Sequence, residues 1–206
     1  EFRRVLFRSE YPRFTYPWHF HSEYEIIYVE KGEGDCLVGD SIISYSKGDL
    51  ILFGSELPHS MQSPPDDGEE SDNEEKSEPK VGGVNIQFEK DFMHYSISQY
   101  SQFIPIRNLL EDACRGIKFT ITRSGKIIKL LKQIPSAKGA DQIILLLSLL
   151  QMMAISNHKK YLTTSHYTPS PSIMRNERME KVIAYLNKHY TESIGLDEIA
   201  SYIAMN

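Results

Sequence analysis

The chain has 206 residues with a formal net charge of −5, and 40% of them are hydrophobic against 25% charged. That balance suits a soluble globular protein with one good core and a smaller appendage. Two cysteines, Cys36 and Cys114, lie too far apart for a disulfide framework or a zinc site and read as reduced thiols of a cytoplasmic protein. The longest apolar run, Ile143 to Ile155, is interrupted by Ser148 and Gln151 and falls short of the roughly 20 residues that cross a bilayer.

Residues 1–10 are charged and carry no secretory signal. Glu1 to Ser9 also reads poorly as a strand or helix, so 1–10 is expected to be a non-native or disordered leader. Short β segments with turns then follow. Glu25 to Glu30 is rich in β-branched and aromatic residues and stops at Lys31-Gly32-Glu33-Gly34. Cys36 to Val38 enters a Gly39-Asp40 hairpin turn and Ile42 to Tyr45 leaves it, while Lys47-Gly48-Asp49 turns the chain into Leu50 to Phe53. Residues 64–80 hold eight acidic residues against Lys76 and Lys80, a local charge of −6 that leaves the remainder near neutral. Having almost no apolar residues, that stretch reads as a disordered loop. Beyond it, Val84, Ile86 and Phe88 alternate with Asn85 and Gln87 as a half-buried strand. The expected barrel spans 11–100.

Residues 101–162 change to helical spacing. Ile106, Leu109, Leu110, Ala113 and Ile117 mark one helix, with Gly116 as its stop. Ser124 caps a second that Pro135 closes, and a third runs from Asp141 to about Asn157. This last helix is apolar on most sides, so both the barrel and a twin helix from a second subunit could cover it. Residues 163–172, with Pro169 and Pro171, read as a linker, and 173–206 as two further amphipathic helices.

Chemistry concentrates at His19, His21, Glu25 and His59. His19 and His21 share a strand face. Glu25 points inward if Ile27 and Val29 fill the barrel, and His59 can close the group from a neighbouring strand. Three imidazoles and a carboxylate suit a divalent ion such as iron, manganese, nickel or zinc. They equally suit a metal-free pocket that hydrogen-bonds an organic ligand, and the residues leave both open. Tyr28 is the candidate aromatic for a ligand face, alongside Trp18, Phe20, Tyr24 and Phe53, whose ordinary role on strands is core. The pattern His19-x-His21-x3-Glu25-x6-Gly32, followed by Gly48 and His59, resembles the two-part motif of the cupin superfamily. It departs from that motif at Arg13, Gly54, Glu56 and Ser63. The resemblance implies a double-stranded β-helix barrel.

Met179 to Tyr190, then Ile194-Gly195-Leu196-Asp197-Glu198-Ile199-Ala200, resembles the start of the DNA-binding domain of AraC/XylS-type transcription regulators. The fold class expected is mainly β plus α: a cupin-like barrel, a helical connector and the first helices of a helix-turn-helix domain. The resemblance implies a non-enzymatic, dimeric regulator. A small-molecule effector, such as a sugar, would enter the barrel, and the full-length protein would bind DNA through a recognition helix beyond Asn206. Acidic residues outweigh basic ones between Ile173 and Asn206, so this stretch carries no phosphate-binding footprint of its own. The rival expectation is a metal-dependent cupin enzyme, a dioxygenase or sugar isomerase, using the same four residues.

Overall fold

The computed structural model describes residues 6–11, 13–64, 81–121 and 125–168, and in the tail 181, 182, 185, 186, 188, 189 and 195–202. Eight strands come first: β1 (Leu6–Tyr11), β2 (Thr15–His19), β3 (Tyr24–Lys31), β4 (Glu33–Val38), β5 (Ser41–Ser46), β6 (Asp49–Phe53), β7 (His59–Gln62) and β8 (Val81–Phe88). Helices α1 (His94–Gln99) and α2 (Ile104–Asp112) follow, then β9 (Ile117–Thr120), α3 (Gly125–Gln133), α4 (Ala140–Ala154) and β10 (Lys159–Tyr161). Helix α5 (Leu196–Tyr202) lies in the tail.

The strands form two antiparallel sheets, six-stranded in the order β1-β8-β3-β6-β9-β10 and four-stranded in the order β2-β7-β4-β5. This is the expected cupin-like barrel. Ile27, Val29, Ile51 and Phe53 from the larger sheet meet Cys36, Val38, Tyr45 and Met61 from the smaller to fill it. The opposite face of the larger sheet, with Ile26, Leu50, Leu52, Val84, Ile86 and Phe88, packs under α2, α3 and α4. Burial on both faces explains why β3 and β6 read as near-continuous apolar runs instead of alternating. Cys36 and Cys114 are free thiols, and burial pushes the Cys36 thiol up to about 12, so it behaves as a small hydrophobe.

Several expectations need correction. Residues 6–10 are ordered: β1 pairs antiparallel with β8, from Leu6 opposite Ile86 to Tyr11 opposite Val81. An edge strand is defined by its neighbour's free backbone groups, which its own polar composition does not reveal. Residues 101–162 are not wholly helical, because β9 pairs with β6 and β10 with β9 to extend the larger sheet. Each has four residues or fewer, too short to show a period. The segment read as a linker begins bound to the barrel, with Leu162 and Thr163 buried. Helix α4 ends at Ala154, earlier than expected. The acidic stretch at 65–80, the Ser124 cap and residues 169–172 lie outside the described residues. In the tail, Tyr185 donates to Glu198 Oε1 at 2.5 Å and its ring lies 4.4 Å from that of Tyr202, so α5 touches the preceding segment.

On α4, Leu146, Leu149, Leu150 and Met153 are buried within the chain, whereas Ile144 and Ile155 are 57% and 62% exposed. No helix among the described residues is long and apolar enough to cross a membrane.

One close approach ties β6 to the helices. A Cβ added at Gly54 would sit 2.5 Å from the Ala113 carbonyl oxygen. Gly54→Ala should therefore push the end of β6 off the turn after α2 and cost about 1–3 kcal/mol. The measurement is a lowered urea midpoint with an unchanged denaturant slope.

Candidate functional site

The four residues singled out by spacing meet at one end of the barrel. His19 closes β2 and lies opposite His59, the first residue of β7, after a register shift between Tyr16 and His19. Such an irregularity re-aims a side chain. Glu25 is the second residue of β3, between Phe53 on β6 and Gln87 on β8. One ligand atom from each of His19, His21, Glu25 and His59 lies within 4.8 Å of all the others. The Glu25, Ile27, Val29 parity points inward, as expected.

Glu25 is 4% exposed and its carboxylate is fully engaged. Oε2 faces His59 Nε2 at 2.7 Å and His21 Nε2 at 3.4 Å. Oε1 accepts from Asn85 Nδ2 at 2.5 Å and from Gln87 Nε2 at 3.0 Å. Burial alone would raise the Glu25 pKa, but the hydrogen bonds and charge of His21 and His59 hold it well below the usual carboxylate range. Burial likewise opposes charge on His21, yet the Glu25 partner outweighs it and raises that pKa. His19 is lowered by burial first and by the neighbouring His59 charge second. Phe53 stacks on His59 at 4.2 Å between centroids, with planes 9° apart.

The imidazole orientations carry further information. His19 Nδ1 lies 2.8 Å from the Pro17 carbonyl oxygen, His21 Nδ1 3.1 Å from that of Glu23, and His59 Nδ1 2.8 Å from that of Leu57. A carbonyl can only accept, so each Nδ1 carries its hydrogen and donates. Nε2 of each ring is then a bare lone pair unless the imidazole is charged. These lone pairs crowd a carboxylate, an arrangement that calls for a positive species among them: a second proton on an imidazole, or a cation.

Asn85 and Gln87 are the functional residues that the spacing did not bring forward. The signal was present, since two amides stand at i and i+2 on a strand whose other face is apolar. Tyr28, in contrast, does not join the group. Its parity is opposite to that of Glu25, and it is buried on the helix-facing side of the sheet. From that earlier set, Phe53 does reach the cluster.

A buried polar cluster inside a double-sheet β barrel defines a cupin-like binding domain. Residues 3–70 match the family model of the AraC-like ligand binding domain. Over that third of the chain the sequence is similar to the AraC-like ligand binding domain. No curated protein sequence matches the chain. Among solved structures, apo ToxT K231A from Vibrio cholerae is 13% identical, covering 98% of this chain and 71% of its own, with a TM-score of 0.45. Unsaturated fatty acid-bound ToxT from the same organism is 15% identical over 100% and 69%, with a TM-score of 0.47. A cupin protein from Bacteroides fragilis is 16% identical over 49% and 73%, with a TM-score of 0.32.

Proposed function

We propose that this chain is the sensor part of a ligand-responsive transcription regulator whose effector site is built around a divalent transition ion. His19, His21 and His59 through Nε2, and Glu25 through Oε2, would hold iron, manganese, nickel or zinc. The observation that carries this reading is the set of three Nδ1 hydrogen bonds to backbone carbonyls, which leave the Nε2 atoms and the carboxylate converging. Outer partners of this kind fix the tautomer and orientation of metal-binding histidines. Asn85 and Gln87 do the same for the carboxylate by anchoring Oε1. Such an ion would supply a Lewis-acidic anchor for an oxygen of a small-molecule effector, for instance a sugar. Without one, the same four side chains hydrogen-bond the effector directly.

DNA binding belongs to the full-length regulator in this reading, with two copies associating through the exposed side of α4. A metal-dependent cupin enzyme is the less favoured alternative. Both Glu25 oxygens are already engaged, so Glu25 is not free to act as a general base.

The test is stepwise addition of zinc, nickel, manganese or iron(II) to chelator-treated protein. One ion per chain should bind and, at about a hundred times Kd, raise Tm by roughly 5–10 °C. His59→Ala should abolish both effects. Absence of binding by every ion would retire the metal and leave the direct pocket.

A further inference from the structure

The segment that leaves β10 does not run free. Leu162 N–H donates to the Gly116 carbonyl at 3.0 Å, and Thr163 N–H and Oγ1–H both donate to the Arg115 carbonyl at 3.1 Å. Arg115 returns the contact, its Nη2 donating to the Thr163 carbonyl at 3.3 Å and the Thr164 carbonyl at 3.2 Å. From the other side, Asp40 in the β4–β5 turn accepts the Thr164 N–H on Oδ1 at 3.0 Å and the Thr164 hydroxyl on Oδ2. Leu162, 5% exposed, packs in the barrel core with Val38, Phe53 and Leu57. Gly39 makes room for the crossing. Its φ is +55°, and a Cβ there would lie 2.7 Å from Thr163 Cγ2 and 2.8 Å from Tyr167 Cε2.

This strap lies at the same end of the barrel as the His/Glu cluster, and the connection between them is short. Val38 pairs with His59 across β4 and β7. Gly39 N–H donates to the carbonyl of Pro58, the residue before His59, at 2.9 Å. His59 itself is fastened through Nδ1 to Leu57. A displacement of the His59 ring is therefore passed to Pro58, to Gly39 and Asp40, and so to Thr164. The Asp40 latch is exposed, so it opens at small cost, which suits an element that must have two states.

We propose that Leu162–Tyr167 is the output strap of the His/Glu site, latched to the barrel by Asp40 and tightened when the site is occupied through His59. It rests on the reading of the cluster as a ligand or ion site. It adds how occupancy reaches the chain that follows. Reversing the order of events gives the same coupling: opening the latch must weaken binding by the factor that binding strengthens the latch.

The experiment is amide hydrogen exchange of the 160–168 peptide, with and without nickel(II), in the whole 206-residue chain. Saturating nickel should slow exchange there by about tenfold, and Asp40→Ala should weaken nickel binding by about the same factor although Asp40 touches none of the four donors. Thr164→Ala removes the hydroxyl half of the latch, leaving the Thr164 N–H on Asp40 Oδ1, and should weaken nickel binding in the same direction by a smaller factor. Nickel that binds stoichiometrically while leaving strap exchange unchanged, or an unaltered nickel affinity in both variants, overturns the strap and leaves the ion site standing. If no nickel binds, the nickel reading of the site fails separately, and the ion-free protein decides the strap. There, His59→Gln and Asp40→Ala should accelerate strap exchange by less together than the product of their separate factors. Strict multiplication overturns the coupling.

Discussion

Glu25→Ala is expected to destabilise the chain by about 3 kcal/mol or more, the largest effect of any single change at the site. Four side chains converge on that carboxylate, two of them amides that donate to it. An imidazole nitrogen can serve as donor or acceptor, so the loss at His21 and His59 is partly recoverable. The amide nitrogens of Asn85 and Gln87 cannot, and a buried amide donor without an acceptor costs about 1–3 kcal/mol. Glu25→Gln separates this structural role from ion binding. Its Oε1 still accepts from both amides, while its amide nitrogen donates to the bare Nε2 atoms. Stability should stay within about 1 kcal/mol of the wild type. Metal affinity, in contrast, should fall on the order of 100-fold or more. Urea denaturation reads the first quantity and isothermal titration the second. A Glu25→Gln variant that binds metal as tightly as the wild type would remove Glu25 from the ligand set.

Leu150→Glu should abolish cooperative folding, and Ile144→Glu should not. Leu150 is fully buried between the sheet and its neighbouring helices, and a lone carboxylate there costs about 4 kcal/mol or more. Ile144, six residues earlier on α4, is 57% exposed. Replacing it should change chain stability by no more than about 0.5 kcal/mol. If two copies pair through this side of α4, Ile144→Glu halves the sedimenting mass while the circular dichroism melt stays in place. A dimer that survives Ile144→Glu takes α4 out of the interface.

The barrel and the meeting of its four polar residues were legible because strand parity is a strict rule. With Ile27 and Val29 inside, Glu25 had to follow, and a motif with known spacing supplied its partners. Parity also places Tyr28 on the other face, whatever the suitability of its ring for a ligand. Asn85 and Gln87 were seen as the polar half of a strand. That they face Glu25 depends on β8 lying beside β3, a pairing across some sixty residues that no local pattern encodes. The same limit hid β1, β9 and β10, which are strands only because a neighbour offers free backbone groups. The strap was lost for a related reason: polar residues and prolines describe a segment's own flexibility, and its docking is decided by Asp40 and Arg115 elsewhere in the chain.

The larger sheet, apolar on both faces, is a party wall shared by barrel and helices. Neither side can be removed without wetting the other, so the change in composition near residue 100 is no seam along which the molecule can be cut. A minimal sensor must keep everything through Leu162, since β9 and β10 finish the wall and Leu162 plugs its end. Assembly then waits on closures between distant parts of the chain. This places the cost of the design in folding speed and spares the finished structure.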